Sequence, residues 1–89
     1  MTTKKPEAIF TPKFISDLSY WVEHDRRIAQ AVLKIVEAVL RDPFVGVGKP
    51  EPLRHLGANY WSRRITKEHR LVYRVYEERV EYLQARYHY

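Results

Sequence analysis

The fold is decided by the last third of the chain, residues 60–87, which read YWSRRITKEHRLVYRVYEERVEYLQARY. Stretches rich in β-branched and aromatic residues are typical of strands, and short polar segments between them are typical of turns. The pattern predicts strands at 60–65, 71–76 and 80–87, with a short turn at 77–79 joining the last two.

Apolar and polar side chains alternate along the last two predicted strands, so one face can pack on helices while the other faces outward. The alternation assigns Tyr82 to the outward face, together with a mainly basic set: Arg70, Arg74, Gln84, Arg86 and His88. Arginine forks match phosphate oxygens, which favours a phosphate-binding face. A solvated outer face of an antiparallel sheet would carry the same residues, so the pattern leaves both interpretations open.

Two amphipathic helices are predicted ahead of these strands. Thr11 and Pro12 are typical of a helix N-cap and first position, and the helical spacing of apolar residues continues to about His24. Asp25 is a second N-cap, and the following helix is predicted to end at the Asp42-Pro43 step. A short apolar run at 8–10 predicts an initial strand, which gives the element order β-α-α-β-β-β.

Residues 42–58 change abruptly in composition, with three prolines and three glycines, and are predicted to form a long stiff loop without a periodic element. Loops of this length inside small domains are often functional. The polar residues of this loop are therefore candidates for a site: Lys49, Glu51, Arg54 and His55.

Length and composition restrict the class of protein. The 89 residues fit one domain, 1–89, and the absence of cysteine excludes disulfides, thiolate zinc sites and a cysteine nucleophile. No histidine pair has metal-site spacing, so we expect neither a metal nor a cofactor.

The apolar runs are too short for a membrane span or a signal peptide, so a soluble, cytoplasmic protein is expected. Residues 46–89 carry nine Lys and Arg against five Asp and Glu, a net charge of +4 compared with +1 for residues 1–45, which points to a polyanionic partner for this half.

Three residues combine side-chain types that can cleave RNA without a metal: Glu51, Arg70 and His88. Cleavage by the neighbouring ribose needs a base for the 2′-OH proton, a cation for the phosphate oxygens and an acid for the leaving 5′-oxygen. A carboxylate, a guanidinium and an imidazole can supply these functions near neutral pH. Periodicity alone does not show that the three meet in space.

The C-terminal half resembles a known family. The segments GKPEPLRHLG (48–57), YWSRRITKEHRLVYRV (60–75) and ARYHY (85–89) are similar, in this order, to the YoeB/Txe toxins of the RelE superfamily, which belong to type II toxin-antitoxin systems. The segments RDPFVGVG (41–48) and DLSYW (17–21) are similar to the same family.

The resemblance implies an α+β fold of the microbial-ribonuclease type, in which two helices pack on a twisted antiparallel sheet. It also implies a ribosome-dependent endoribonuclease that cleaves mRNA in the A site and so inhibits translation. In this family pattern Glu51 is the general base, Arg70 stabilises the transition state and His88 is the general acid. The matching RNA-binding positions are Arg54, His55, Arg63, Arg64 and Tyr89.

The resemblance further implies partners: a cognate antitoxin of the YefM/Phd-like kind, the ribosome and its mRNA, and it allows a homodimer. One alternative of another class stays open, because relatives of this fold exist that lack the catalytic set. In that alternative the basic face is a non-catalytic binding module for nucleic acid or another target.

Overall fold

In the computed structural model, which describes residues 6–87, two helices cover one face of a five-stranded sheet. The elements in chain order are β1 (Glu7–Phe10), α1 (Pro12–His24), α2 (Arg26–Arg41), β2 (Glu51–Pro52), a 3-10 helix (Arg54–Leu56), β3 (Tyr60–Arg64), β4 (Arg70–Val75) and β5 (Arg79–Gln84). No helix of this described part is long and apolar enough to cross a membrane.

The two helices begin and end where the sequence predicts. The Thr11 hydroxyl accepts a hydrogen bond from the Phe14 N–H at 3.1 Å, and Pro12 takes the first helical position. Asp25 ends α1 and caps α2 by accepting from the Arg27 and Ile28 N–H groups. Satisfying these otherwise unpaired amides stabilises each helix start, so the predicted helices are confirmed.

The core lies between the helices and the inner face of β4 and β5. It contains Phe14 and Trp21 of α1, Val32, Ile35 and Val39 of α2, and Leu71, Tyr73, Val80 and Tyr82 of the sheet. Several are large rings, and the Phe14 and Tyr82 ring centroids are 5.6 Å apart. Aromatic rings supply much buried area per residue, which a domain of this size needs.

The sheet is mixed, with strand order β1-β5-β4-β3-β2, which corrects the expectation of a purely antiparallel sheet. Strands β2 to β5 pair antiparallel, whereas β1 pairs parallel with β5. The two helices carry the chain from β1 to the opposite edge of the sheet, where β2 lies. The later strands then follow one another back across the sheet, and the last of them, β5, lies beside β1. A parallel pair requires such a long crossover.

A β-bulge in β5 corrects the predicted alternation. Val72 pairs with Gln84 and Tyr73 pairs with Tyr82, so Leu83 has no partner on β4. Because of this extra residue, the inward and outward positions before the bulge do not continue in the same alternation after it. Tyr82 therefore points into the core. Its hydroxyl donates to the Val36 carbonyl at 2.8 Å, and burial raises the pKa of Tyr82 far above its ordinary value.

Arg86 does not lie on the outer face, contrary to the prediction. Strand β5 ends at Gln84, and the chain turns so that the Arg86 Cζ lies 3.4 Å from the centroid of the Tyr20 ring on α1. The outer face of β3 and β4 is left open, and the helices lie on the opposite side. The loop at 42–58 holds β2 and the 3-10 helix, so the expectation that it lacks regular elements is wrong.

Candidate functional site

An ion pair joins β2 and β4 on the open face of the sheet. Nη2 of Arg70 lies 2.7 Å from Oε1 of Glu51. The Arg70 side chain is 20% exposed and that of Glu51 is 61% exposed, so the arginine is held within the sheet surface while the carboxylate reaches into solvent. The structure thus brings together two of the three residues that the sequence proposed for chemistry.

Ser62 completes this arrangement. The Arg70 Nε donates to the Ser62 Oγ at 3.0 Å, and Ser62 is buried. In the strand register Ser62 pairs with Glu51 of β2 and with Val72 of β4, so the serine lies on the strand between those that carry Glu51 and Arg70. The sequence interpretation missed Ser62. The alternation of β3, once paired with that of β4, would have placed it on the same face as Arg70.

Close contact between the loop and β3 brings Glu51 to the sheet. The Arg64 N–H donates to the Gly48 carbonyl at 2.7 Å, and Gly48 has a φ of +86°. A Cβ at this position would lie 2.8 Å from the Arg64 carbonyl oxygen, so only glycine fits without a shift. This contact sets the chain on a path along β3, where residues 51 and 52 pair as β2.

Arg63 corrects one predicted RNA contact. Its side chain is fully buried on the inner face, and its guanidinium donates to the Asp42, Val45 and Val47 carbonyls and to the Tyr73 hydroxyl. A buried cation requires such partners. Arg63 therefore anchors the 42–47 segment and has no surface to offer RNA. Burial also raises the pKa of Tyr73, although the hydrogen bond from Arg63 opposes that rise.

The other predicted RNA-binding positions that the structure describes lie at the surface. Arg54 and His55 are exposed on the 3-10 helix that follows β2. Arg64 is exposed at the end of β3, in register with Arg70 across the strand pair. His88 and Tyr89, predicted as general acid and RNA contact, lie outside the described residues.

The end of the described chain is fixed beside Arg70. The Arg70 N–H donates to the Tyr87 carbonyl at 2.9 Å, and the Tyr87 N–H donates to Nδ1 of His69 at 2.7 Å. Helix α1 holds the preceding turn as well, because Trp21 Nε1 donates to the Ala85 carbonyl and the Ala85 N–H donates to the buried Asp17 carboxylate. His69 and Asp17 are thus positioning residues that the sequence interpretation did not single out.

The open face therefore holds a carboxylate and a guanidinium at hydrogen-bond distance. An exposed carboxylate can accept a proton, and a guanidinium fixed by two partners can bind a phosphate with its remaining donors. A groove of about 1340 Å³ lies at the other end of the sheet, among Leu40, Phe44 and Val80, and none of the predicted site residues within 6–87 lines it. The candidate site is therefore the sheet face and not this groove.

Comparison with known proteins agrees with the sequence resemblance. The family model for YoeB-like toxins of bacterial type II toxin-antitoxin systems matches residues 10–89. Toxin YoeB of Mycobacterium bovis is 48% identical over 80 residues, which are 90% of this chain and 94% of that protein. The YoeB dimer of Staphylococcus aureus is 31% identical, with a TM-score of 0.88 over 97% of this chain and 100% of that one.

The heterotetrameric YoeB-YefM toxin-antitoxin complex of Staphylococcus aureus contains a chain that is 32% identical, with a TM-score of 0.82 over 97% of this chain and 100% of that chain. Both the similarity in sequence and the similarity in structure extend over at least 90% of this chain. On these grounds the chain belongs to the family of YoeB-like toxins of bacterial type II toxin-antitoxin systems.

Proposed function

We propose that this chain is a ribosome-dependent endoribonuclease that cleaves mRNA in the ribosomal A site and so inhibits translation. The observation that carries the proposal is the Glu51–Arg70 pair at 2.7 Å on an open sheet face, with Ser62 holding the arginine. Membership in a toxin family supports the proposal, because a toxin acts on a target in the cell, and the carboxylate and guanidinium of this face are groups that can cleave RNA.

In the proposed reaction Glu51 is the general base. Its Oε1 pairs with Arg70, which leaves Oε2 of this exposed carboxylate to take the proton of a ribose 2′-OH. The 2′-oxygen then bonds to phosphorus while the bond from phosphorus to the 5′-oxygen breaks. The products are a 2′,3′-cyclic phosphate and a 5′-hydroxyl, and no metal takes part in these steps.

Arg70 is the proposed stabiliser of the crowded phosphate. Ser62 and Glu51 hold its Nε and Nη2, which leaves Nη1 as a donor for phosphate oxygens. The side chain is thus oriented before the substrate arrives. A preorganised cation stabilises developing charge more than one that must first be oriented.

His88 is proposed to protonate the leaving 5′-oxygen. The described chain ends at Tyr87, whose carbonyl accepts from the Arg70 N–H. An imidazole is suited to this function near neutral pH.

The ribosome is proposed to orient the mRNA. The site has few groups on an open face, and alignment of the reacting atoms can supply several kcal/mol, about 7–11 in favourable cases, that side chains alone do not. The proposed RNA contacts are Arg54, His55, Arg64 and Tyr89, whereas Arg63 is excluded by its burial. A cytoplasmic location follows from this target.

The proposed inhibitor is a cognate antitoxin of the YefM type, as in the Staphylococcus aureus complex, and a homodimer is proposed from the YoeB dimer of the same organism. An acidic antitoxin segment that orders on the basic face would block it both sterically and electrostatically. Binding should then weaken as salt rises, and an affinity independent of salt would contradict the electrostatic part.

The test maps RNA ends after incubation of the protein with ribosomes that hold a defined codon in the A site. We expect cleavage with 2′,3′-cyclic or 3′-phosphate ends, and none when the cleaved position carries a 2′-deoxyribose. Glu51→Gln should lower the cleavage rate about 10²- to 10⁴-fold, the usual contribution of a general base. Glu68→Gln, a matched change in the exposed β3–β4 turn, should leave the rate unchanged.

Products with 3′-hydroxyl ends would contradict attack by the 2′-oxygen. An unchanged rate in Glu51→Gln would contradict the assignment of the base. No cleavage by folded protein, with or without ribosomes, would favour the binding module instead.

A further inference from the structure

Beyond the Glu51–Arg70 pair, the open sheet face continues as a stack of alternating rings and guanidinium groups. The Arg74 Cζ lies 4.8 Å from the Tyr60 ring centroid and 5.0 Å from that of Tyr76. The Arg79 Cζ in turn lies 4.0 Å from the Tyr76 ring centroid. We call these four residues, Tyr60, Arg74, Tyr76 and Arg79, the tyrosine-arginine ladder.

The ladder lies on the same face as the site. Residues of one strand that are two or four apart share a face, so Arg74 lies on the side of Arg70, about 13 Å further along β4 at about 3.3 Å per residue. Tyr60 likewise shares the face of Ser62 on β3, and the Arg74 Nη1 donates to the Tyr60 hydroxyl at 3.4 Å. The ladder is therefore a continuation of the site and not a separate patch.

The positive charges of the ladder are not neutralised by ion pairs. Within residues 6–87 the ion pairs are Lys13–Asp17 and Arg70–Glu51, so no carboxylate of this range lies within 4.0 Å of the charged nitrogens of Arg74 or Arg79. Ring faces hold the two guanidinium groups instead, an arrangement that leaves their edges as hydrogen-bond donors. The Arg74 Nε is buried and makes no hydrogen bond within the described residues, so this group also has an unused donor.

We propose that the tyrosine-arginine ladder is a second RNA-binding subsite, which takes one or two nucleotides of single-stranded RNA that flank the cleaved phosphate. The proposal rests on the proposed function, because that function places the RNA strand on this face. Guanidinium edges can bind the phosphates, and a base can stack on Arg79, which is exposed at the outer end of the ladder. Stacking is independent of sequence, so the ladder would add affinity without restricting the codon.

Two acidic residues face the ladder, Glu81 of β5 and Glu7 of β1, which is in register with Arg79, and Glu81 gives the proposal a signed test. Glu81 of β5 is in register with Arg74, so both side chains emerge on the same face. Its carboxylate would repel a phosphate bound to Arg74. Removing this charge should therefore strengthen RNA binding, whereas removing Arg74 or Arg79 should weaken it.

The experiment measures binding of a fluorescent 2′-O-methyl RNA oligonucleotide, which cannot be cleaved by 2′-oxygen attack, to the full chain over a range of salt. Arg74→Ala/Arg79→Ala should weaken binding at least about fivefold and reduce the slope of log affinity against log salt by about 1.4, since each lost phosphate contact removes about 0.7 for a single strand. The matched control, Arg26→Ala/Arg27→Ala, removes the same charge from the exposed start of α2.

Three further variants separate stacking, charge and folding. Arg74→Lys keeps the charge but loses the planar stack and should weaken binding, and Glu81→Gln should strengthen it about twofold, a shift typical of removing one partly screened charge. Arg79→Ala alone affects an exposed side chain, where a substitution usually changes stability by less than about 0.5 kcal/mol, so the fold is expected to stay intact. The ribosome cleavage assay is run on all variants.

The outcomes are distinct for the ladder and for the proposed function. Ladder variants that bind RNA like the Arg26→Ala/Arg27→Ala control would overturn the ladder even if the wild-type protein cleaves mRNA. Wild-type RNA binding that the ladder variants weaken, without any cleavage, would support the ladder and contradict the proposed function. Loss of affinity for a YefM-type antitoxin, with RNA affinity unchanged, would identify a peptide-docking face and overturn the RNA subsite.

Discussion

At the scale of single residues, the orientation of Arg70 depends on Ser62. The sheet places the serine hydroxyl 3.0 Å from the Arg70 Nε, and the serine is buried, so water cannot readily replace it. A guanidinium held at both Nε and Nη2 is oriented by two bonds, whereas Glu51 alone, being 61% exposed, could not fix it.

We therefore predict that Ser62→Ala lowers the rate of A-site cleavage at least about tenfold while Glu51 and Arg70 remain in place. The loss of one hydrogen bond to a charged group costs about 1.5–3 kcal/mol, and about 1.4 kcal/mol corresponds to a tenfold change in rate. Ser62→Thr keeps the hydroxyl and should retain most of the rate. The measurement is single-turnover cleavage on programmed ribosomes. A rate in Ser62→Ala equal to that of the wild-type protein would contradict the positioning function of Ser62.

Adjacent arginines on β3 lie in opposite environments because successive side chains of a strand point to opposite faces. Arg63 is fully buried and bonds to the 42–47 segment, whereas Arg64 is exposed. The pair Arg63-Arg64 was predicted to bind RNA from the resemblance, and only the strand register separates the two. A single sequence does not specify which of two neighbouring arginines faces inward, since burial of a cation depends on carbonyls that the loop must supply.

Arg63→Met should lower the free energy of unfolding by about 3 kcal/mol, because it removes hydrogen bonds from a charged donor and leaves buried acceptors unpaired. Arg64→Met is the matched control and should change that free energy by less than about 0.5 kcal/mol, as is typical of surface positions. Urea unfolding followed by tryptophan fluorescence measures both. Equal stability of the two variants would show that Arg63 is not needed to anchor the loop.

At the scale of elements, the helices were predictable and the sheet only in part. Thr11, Pro12 and Asp25 act through their nearest neighbours, so their caps are visible in the sequence and are confirmed by the structure. The parallel pairing of β1 and the bulge at Leu83 depend on contacts between distant strands. Alternation predicts which residues share a face only until a bulge intervenes, which is why Tyr82 was assigned to the wrong side.

Thr11 links the start of α1 to this bulge. Its Oγ1 accepts from the Phe14 N–H and also donates to the Leu83 carbonyl at 3.0 Å, at the residue that has no partner on β4. One hydroxyl thus satisfies a helix amide and a strand carbonyl. The junction between α1 and β5 therefore depends on a side chain that the sequence marked only as a cap.

Thr11→Val should lower the free energy of unfolding by about 1–2 kcal/mol, the upper range for loss of a cap, because both hydrogen bonds disappear while the shape is kept. Thr11→Ser retains the hydroxyl and should lower it much less. Thermal unfolding by circular dichroism checks the pair. A stability of Thr11→Val indistinguishable from that of Thr11→Ser would contradict this function of the hydroxyl.

At the scale of the whole molecule, the helices cover one face of the sheet and leave the other uncovered. The candidate base, the cation and the ladder all lie on the uncovered face, whereas Tyr73 and Tyr82 lie fully buried on the covered one. The residue types are visible in the sequence, and the functions proposed for them come from the resemblance. The ladder, in contrast, required the register of β3 and β4, which brings Tyr60 and Arg74 together.

The two buried tyrosines predict how the whole fold responds to alkali. Burial raises the pKa of both Tyr73 and Tyr82 above the ordinary value near 10, so the folded state keeps protons that the unfolded state loses. The free energy of unfolding is then unaffected below about pH 10 and falls above it, by up to about 1.4 kcal/mol per pH unit for each tyrosine, until the folded-state pKa is reached. Urea unfolding between about pH 8 and 11 measures this slope.

The variant Tyr82→Phe tests the linkage. It loses the hydrogen bond to the Val36 carbonyl, so its free energy of unfolding should be lower at every pH. That free energy should nevertheless fall less steeply above about pH 10, because one of the two proton-binding groups is gone. An equal slope in the wild-type protein and in Tyr82→Phe would contradict the linkage and would require another group to account for any alkaline unfolding.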